Sequence, residues 1–421
     1  MPPRDRTYIP RLVDAWLAEL VADVPAVLLV GPRASGKTTT ASRLARTVLR
    51  IDDPNVRAAV AADPDSVLRD ATPPALVDEW QLAPEILAAT KRLVDDDPSP
   101  GRLLLAGSAA DDINVGQWPG TGRVIRVPMW GLTQRELRGA ATGATFIDRL
   151  IDAVDQGSDV TFPLPPDPPD NSGYVELAVA SGFPEALARS SARTSAAWLD
   201  SYLDHLIGRD LGPGAAAGGA GKLRRYLRTL AASTAGSPAL TTLTRAADLD
   251  RRTIERYDAL LERLFVTEQV PAWSSNRLTR VTRRSKRYVC DAAIAATALG
   301  VDRRAILRDA DLLGRIMDTF VASQLRPELS LGDRPASMYH LREQAGRREV
   351  DLVIERRDGA LVAIEIKAAT LVEQHDARHL AWFREQLPAG ELRAGVVFYT
   401  GTLVRRLDER IWAVPICALW G

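Results

Sequence analysis

Apolar positions along the chain change period several times, and each change marks an expected element. Ile9, Leu12, Val13, Trp16, Leu17 and Leu20 recur at helical spacing, so residues 7–22 read as an amphipathic helix. The run Val24-Pro25-Ala26-Val27-Leu28-Leu29-Val30 is short and wholly apolar, as in a strand buried on both faces of a parallel sheet. Thr39 to Leu49 returns to helical spacing through Ala41, Leu44, Ala45 and Val48. A short second strand is expected at Leu49-Arg50-Ile51, then a helix from Asn55 to Arg69. Further strands are expected at Ala75-Leu76-Val77, at Leu103 to Ala106 and at Val124 to Val127. Strands alternating with helices predict a parallel sheet covered on both faces.

Past residue 140 the pattern changes character. The segment Phe162-Pro-Leu-Pro-Pro-Asp-Pro-Pro can continue neither a helix nor a central strand. Residues 174–210 read as helical, and the Gly- and Ala-rich stretch 211–221 is a second break. From Leu240 two short helices flank Asp248-Leu249-Asp250, with Asp250 expected to cap the second. A strand from Leu264 to Val270 follows. Then comes Asn276 to Tyr288, in which Arg277 to Arg287 contains six bases and no acid. A helix at about 312–325 leads into paired strands at 338–342 and 348–355, and Asp358-Gly359 is a strong turn signal before Ala360 to Lys367. A helix from Glu373 to Leu387 and strands at 393–399 and 411–416 complete the chain. These breaks divide it into residues 1–140, 141–221, 222–309 and 310–421. The fold class is α/β, with an N-terminal parallel sheet, a helical middle unit and a C-terminal mixed sheet.

Chemistry enters at Gly31-Pro32-Arg33-Ala34-Ser35-Gly36-Lys37-Thr38, which fits the P-loop spacing G-x-x-x-x-G-K-[ST]. At this composition the pattern is expected by chance about 0.003 times in the chain. Backbone N–H groups of such a loop turn inward on phosphates, and the following helix, from Thr39, presents its N-terminus to the anion. The glycines are expected where a side chain would block the phosphates. Lys37 would reach the β- and γ-phosphates of ATP, and the Thr38 hydroxyl would hold Mg²⁺. Asp78 and Glu79 end an apolar strand. In a P-loop ATPase the first acid holds Mg²⁺ and the second activates the attacking water. Ser108 closes another apolar strand, where a polar residue can approach the γ-phosphate. Arg123 is a candidate for stabilising transition-state charge, in a neighbouring subunit if the protein is a homo-oligomer.

The middle unit has helix-turn-helix character, with Arg251, Arg252 and Arg256 at the end that enters a major groove and the basic stretch behind it as a wing. Double-stranded DNA is therefore an expected partner, although the same unit could serve only as a packing module. In the last unit, the order helix, three strands, helix, strand resembles the PD-(D/E)xK nuclease core. Strand period two puts Glu365 and Lys367 on one face, with Val362, Ile364 and Ile366 on the other. Asp351 on the adjacent strand could meet Glu365 to hold Mg²⁺, and Lys367 could orient water for phosphodiester attack. The alternative is a nuclease-like fold kept for binding.

The series Gly31 to Thr38, Asp52-Asp53-Pro54, Val77-Asp78-Glu79-Trp80-Gln81, Leu105-Ala106-Gly107-Ser108, Gly122-Arg123, Ser181-Gly182-Phe183-Pro184-Glu185, Arg209-Asp210-Leu211 and Glu349-Val350-Asp351 resembles the bacterial and archaeal AAA-type ATPases. Those proteins carry a C-terminal domain of unknown function with a nuclease-like core. The resemblance spans nearly the whole chain in order. It implies ATP binding and hydrolysis, a restriction-endonuclease-like C-terminal domain, and an acid from the helix before the sheet. This chain supplies Asp318 there, where the resemblance suggests Glu.

Composition narrows the partners further. Net charge is +0, so any nucleic-acid surface must be local rather than global. Arg is the default base: of 54 Lys plus Arg only five are Lys, at 37, 91, 222, 286 and 367. Two of the five fall where the two chemistries above call for an ammonium. Two Cys, Cys290 and Cys417, have no metal-ligand spacing and suggest no disulfide framework. No stretch approaches the ~20 apolar residues of a membrane span, and no signal-like segment follows Met1, so the chain reads as cytoplasmic. Two functions stay open: an ATPase with a DNA-directed nuclease-like domain, or a nucleotide-switched assembly protein that cuts no strand.

Overall fold

Five short apolar segments supply the first sheet. A computed structural model describes residues 8–107, 122–210, 218–331, 334–343 and 347–421, without the side chains of 209 and 210. The chain divides into two units, and the first consists of Met1–Leu132 with Gly182–Glu185 and Arg263–Phe265. Its strands are β1 (Ala26–Val30), β2 (Thr47–Arg50), β3 (Ala75–Asp78), β4 (Leu103–Ala106) and β5 (Ile125–Pro128). They lie in the order β2-β3-β4-β1-β5, every pair parallel. All residues of β1, β3 and β4 are buried, which is why they read as apolar runs, broken only at Asp78, the last residue of β3. One layer of the core packs Leu28, Val30, Val77 and Leu105 with Ile86, Leu93 and Trp80.

Two helices are shorter than their periodicity suggested. The helix after the loop spans only Lys37–Ser42, and the expected continuation to Leu49 is instead β2. Three threonines in six residues make a weak helix, and Thr47-Val48 are β-branched residues suited to a strand. The helix expected over 55–69 is two, Pro54–Ala62 and Pro64–Asp70. Pro64 cannot sit inside a helix but suits its first turn, and the Asp63 carboxylate caps the second piece by accepting from the Ser66 N–H at 3.0 Å.

The second unit consists of Thr133–Ser181, Ala186–Glu262 and Val266–Gly421. The helical stretch expected over 174–210 is interrupted between a helix at Asn171–Ala180 and one at Ala192–Asp210, with Ser181 at φ 70° after the first. Helices Gly219–Ala232, Leu240–Ala247 and Arg251–Arg263 follow, and the Asp250 carboxylate caps the last by accepting from the Thr253 N–H at 2.9 Å, as expected. A two-stranded antiparallel ribbon comes next: β6 (Thr267–Val270) and β7 (Lys286–Val289), the latter also bridged at Arg287 to Gly236. Between them the basic stretch forms a short helix, Arg277–Thr282, before it enters β7 at Lys286.

The helix Ala310–Leu325 then leads into a six-stranded mixed sheet. Its strands are β8 (Ala336–Glu343), β9 (Arg348–Arg356), β10 (Leu361–Lys367), β11 (Leu392–Tyr399), β12 (Arg405–Asp408) and β13 (Ile411–Pro415), in the order β12-β13-β11-β10-β9-β8. The pairs β10–β11 and β11–β13 are parallel and the others antiparallel. The turn from β9 to β10 is at Asp358-Gly359, where Gly359 takes φ 87° and the Asp358 carboxylate accepts from the Ala360 N–H. Among the described residues no helix is long and apolar enough to cross a membrane.

Candidate functional site

In the first unit the loop Gly31–Gly36 joins the C-terminal end of β1 to the helix Lys37–Ser42, the crevice where open parallel sheets bind ligands. Gly36 is left-handed at φ 97° and Ala34 at φ 59°, backbone conformations of the kind that occur in anion-binding nests. Gly31 is needed for a different reason than the one expected. A Cβ there would lie 2.0 Å from the carbonyl oxygen of Met129, so the glycine lets the segment after β5 pass against the loop. Lys37 is 6% exposed, and its Nζ donates to the carbonyls of Gly31 at 3.0 Å and Pro32 at 2.7 Å. Burial pulls its ammonium down to about 8, against the upward pull of Glu79 and Asp78 and with Arg33 adding to the depression. Ser35 is fully buried, whereas Ala34 and Thr39 are exposed.

The Thr38 hydroxyl donates to Asp78 Oδ1 at 2.7 Å, joining the loop to the end of β3 across the intervening β4. Asp78 is buried, and that burial raises its carboxyl above the usual range while the Thr38 hydrogen bond opposes the rise. A buried carboxylate touching a hydroxyl at a phosphate loop is the oxygen donor pair that a hard cation takes, so these residues fit Mg²⁺. Glu79 follows at φ 55°, a left-handed position that turns its side chain out of the strand alternation, and its Oε2 accepts from Gln81 Nε2 at 2.5 Å. Arg123 does not enter this group: its Nε donates to Asp95 Oδ1 at 2.5 Å in a half-exposed pair. Ser108 lies outside the described residues. One contributor carried no motif. Arg11, 6% exposed, donates to the carbonyls of Ser35 at 2.8 Å and Trp130 at 2.7 Å, and so braces the loop.

In the second unit, the pairing of β9 with β10 ends at Ile364 opposite Leu352, and Glu365 and Asp351 are the next residue of each strand. Three of their four oxygens are engaged by protein groups, Glu365 Oε2 being the exception. Asp351 Oδ2 accepts from the Ile366 N–H at 3.0 Å, and Glu365 Oε1 accepts from Lys367 Nζ at 2.7 Å. Asp318 is reached from the ribbon: Lys286 Nζ donates to Asp318 Oδ2 at 2.6 Å and to Asp351 Oδ1 at 3.2 Å, and the Tyr288 hydroxyl donates to Asp318 Oδ1 at 2.8 Å. Burial alone would push the Lys286 ammonium down, but the facing Asp318 and Asp351 hold it well above its ordinary value. Burial raises Asp318 to about 6 against the pull of Lys286. Burial, with Asp351 adding and Lys367 opposing, raises Glu365 to about 8. No group of three His, Cys, Asp or Glu among the described residues is arranged to hold a metal ion.

Lys286 thus does not belong to an exposed wing, and neither do most of its neighbours. Arg280 pairs with Glu355, Arg283 with Glu343 at 3.0 Å, and Arg287 with Asp258 at 2.6 Å. The stretch lacks acids in sequence because its acids come from elsewhere in the unit. Sequence reading missed this; the available hint was a lysine in a chain that otherwise uses arginine.

Two mycobacterial proteins align with almost the whole chain: uncharacterized protein Rv2008c of Mycobacterium tuberculosis and uncharacterized protein Mb2031c of Mycobacterium bovis. Each is 30% identical over 406 residues, which cover 95% of this chain and 82% of the relative. Residues 23–138 match the model of an AAA domain. The chain belongs to one family with these two mycobacterial proteins, and it carries an AAA domain. The rest of the family architecture follows in order, with a domain of unknown function (DUF8612) over 171–305 and another (DUF4143) over 313–419. Among solved structures, the Walker-type ATPase PABY2304 of Pyrococcus abyssi is similar at 14% identity and a TM-score of 0.38, over 68% of this chain and 94% of that one. Protein VC1899 from Vibrio cholerae is similar at 11% identity and a TM-score of 0.18, over 94% and 95%. The AAA domain contains Gly31 to Thr38, Asp78 and Glu79. Lys286 falls in DUF8612, and its partners Asp318 and Asp351 in DUF4143.

Proposed function

We propose that this AAA-domain protein binds ATP with Mg²⁺ and hydrolyses it, with residues Gly31 to Thr38, Asp78 and Glu79 as the machinery. The observation that carries the reading is the 2.7 Å hydrogen bond from Thr38 to the buried Asp78, with Lys37 and Glu79 on either side. When bound, Mg²⁺ would neutralise charge on the phosphate oxygens, with Thr38 and Asp78 as its protein partners. Lys37 binds the phosphates through an ammonium that burial has stripped of water, and the loop N–H groups orient them. Glu79 takes the proton of the attacking water, and Gln81 positions the Glu79 carboxylate. The loop variant Lys37→Ala should lose nucleotide binding in a fluorescent-ATP titration, while Glu79→Gln should retain it. Loss of binding in neither variant overturns the assignment.

For the remaining domains we propose nucleotide-controlled assembly rather than strand cleavage. Its support is the internal pairing of Arg280, Arg283, Lys286 and Arg287, which removes most of the charge expected to face a phosphate backbone. Among the described residues, Arg252 and Arg256, exposed on the helix Arg251–Arg263, and Arg277 and Arg284, exposed in the basic stretch, are bases still available for duplex DNA. Duplex binding at low salt that is lost in Arg252→Ala/Arg256→Ala and is accompanied by Mg²⁺-dependent nicking would favour the DNA-directed function instead.

A further inference from the structure

We infer that the ammonium of Lys286 stands where a divalent cation would stand among the acids of the C-terminal sheet, so that the ribbon strand β7 is held against these acids by charge and they take no metal. An ammonium has three donors. The acceptors within reach of Lys286 Nζ are Asp318 Oδ2 at 2.6 Å, Asp351 Oδ1 at 3.2 Å and the Asp351 carbonyl at 3.3 Å. Two carboxylates and a main-chain carbonyl form an all-oxygen donor set of the kind a hard cation uses. Here the set is filled by a side chain 1% exposed.

The other oxygens leave little for a metal. Asp318 Oδ1 holds the Tyr288 hydroxyl, Asp351 Oδ2 the Ile366 N–H, and Glu365 Oε1 the Lys367 ammonium. Glu365 Oε2 is buried with no hydrogen-bond partner among the described residues, and a single oxygen is no cation site. Lys286 and Tyr288 share one face of β7, since strand side chains alternate, and both are aimed at Asp318. β7 makes no ladder with the six-stranded sheet; its strand partner is β6. The charge cluster is one attachment of DUF8612 to DUF4143 in this region, beside the Arg280–Glu355 and Arg283–Glu343 pairs and the bridge from Ala272 to His340. A free cation would have to expel a tethered, desolvated ammonium and leave it unpaired, which is costly for a buried charge.

This inference does not depend on the ATPase reading, and it is tested without nucleotide on the full chain. Bound Mn²⁺ is measured by electron paramagnetic resonance in wild type, Asp351→Asn, Lys286→Met and the double variant. Wild type and Asp351→Asn should bind the same amount. Lys286→Met should gain about one Mn²⁺ per chain, and adding Asp351→Asn should remove it. A wild-type Mn²⁺ that Asp351→Asn abolishes, or a folded Lys286→Met that gains none, overturns the inference. Should Lys286→Met fail to fold, lysine methylation of wild type read by mass spectrometry decides. Lys286 should stay unmodified in 10 mM Mn²⁺ under conditions that label Lys222 fully, a concentration of about 10 mM being ample for carboxylate sites. Labelling of Lys286 that rises with Mn²⁺ would show displacement and refute the assignment.

Discussion

Binding of ATP should draw a proton onto the protein above pH 8, and the group responsible is Lys37. Burial holds its ammonium at about 8, and the acceptors beside it are two neutral carbonyls. Phosphate oxygens would supply full negative charge at the same distance and return the ammonium to at least its ordinary range near 10.4. At pH 8.5 about three-quarters of the unbound ammonium is deprotonated, so binding should take up about 0.75 proton. Between pH 8 and 9 the dissociation constant should rise about fivefold, and between pH 9 and 10 about sevenfold. Calorimetric titration in two buffers of different ionisation heat gives the proton count directly. Lys37→Arg, which stays charged throughout, should show none. The same shift sets a sign for stability without nucleotide. The unfolded chain holds the proton between pH 8 and 10.5 and the folded one does not, so the Lys37 contribution becomes more favourable as pH rises through that window. Tight binding with no proton uptake at pH 8.5, and an affinity flat from pH 7.5 to 9.5, would show that Lys37 keeps its proton in the nucleotide-free protein.

Gly31→Ala should cost about 2–4 kcal/mol in urea unfolding, since its Cβ would collide with backbone that cannot move cheaply. Gly36→Ala, whose Cβ meets nothing nearer than 3.4 Å, should cost less; equal losses would contradict the packing role of Gly31. Glu365→Gln should flatten a fall in stability between about pH 4.5 and 8, because the folded carboxyl at about 8 keeps a proton that the unfolded one releases, so wild type loses stability as pH rises. A thermal-unfolding profile unchanged by that substitution would count against it. Arg287→Ala should lower stability by about 2 kcal/mol by leaving the buried Asp258 with Tyr226 alone, whereas an unchanged melting temperature with lost DNA binding would return Arg287 to an exposed wing.

The sequence was most informative where one physical constraint dominates. Buried parallel strands carry continuous apolar runs, so β1, β3 and β4 were readable, and Gly31 to Thr38 was readable because backbone geometry and charge demand those residue types. The helix Lys37–Ser42 was over-extended because apolar spacing in 41–48 fits a helix, while the sheet offered Thr47–Arg50 a partner in β3 that local periodicity does not reveal. Pro64 was a visible break that spacing alone passed over. Arg11 and Lys286 illustrate what one-dimensional reading loses. Each is a lone base with no motif, and its meaning comes from oxygens far away in sequence: Trp130 for one, Asp318 and Asp351 for the other. Strand period puts Glu365 and Lys367 on one face of β10, but the cation between Asp318 and Asp351 comes from β7, outside the sheet.

We propose that Thr38, Asp78 and Glu79 make the AAA domain a Mg²⁺-dependent ATPase. The most direct measurement is phosphate release from ATP by the purified full chain, wild type against Glu79→Gln, with Mg²⁺ and with EDTA. Wild type should turn over only with Mg²⁺, and Glu79→Gln should bind ATP as tightly yet release phosphate about 10²-fold or more slowly. Equal turnover in the two proteins, or turnover undiminished in EDTA, would contradict it.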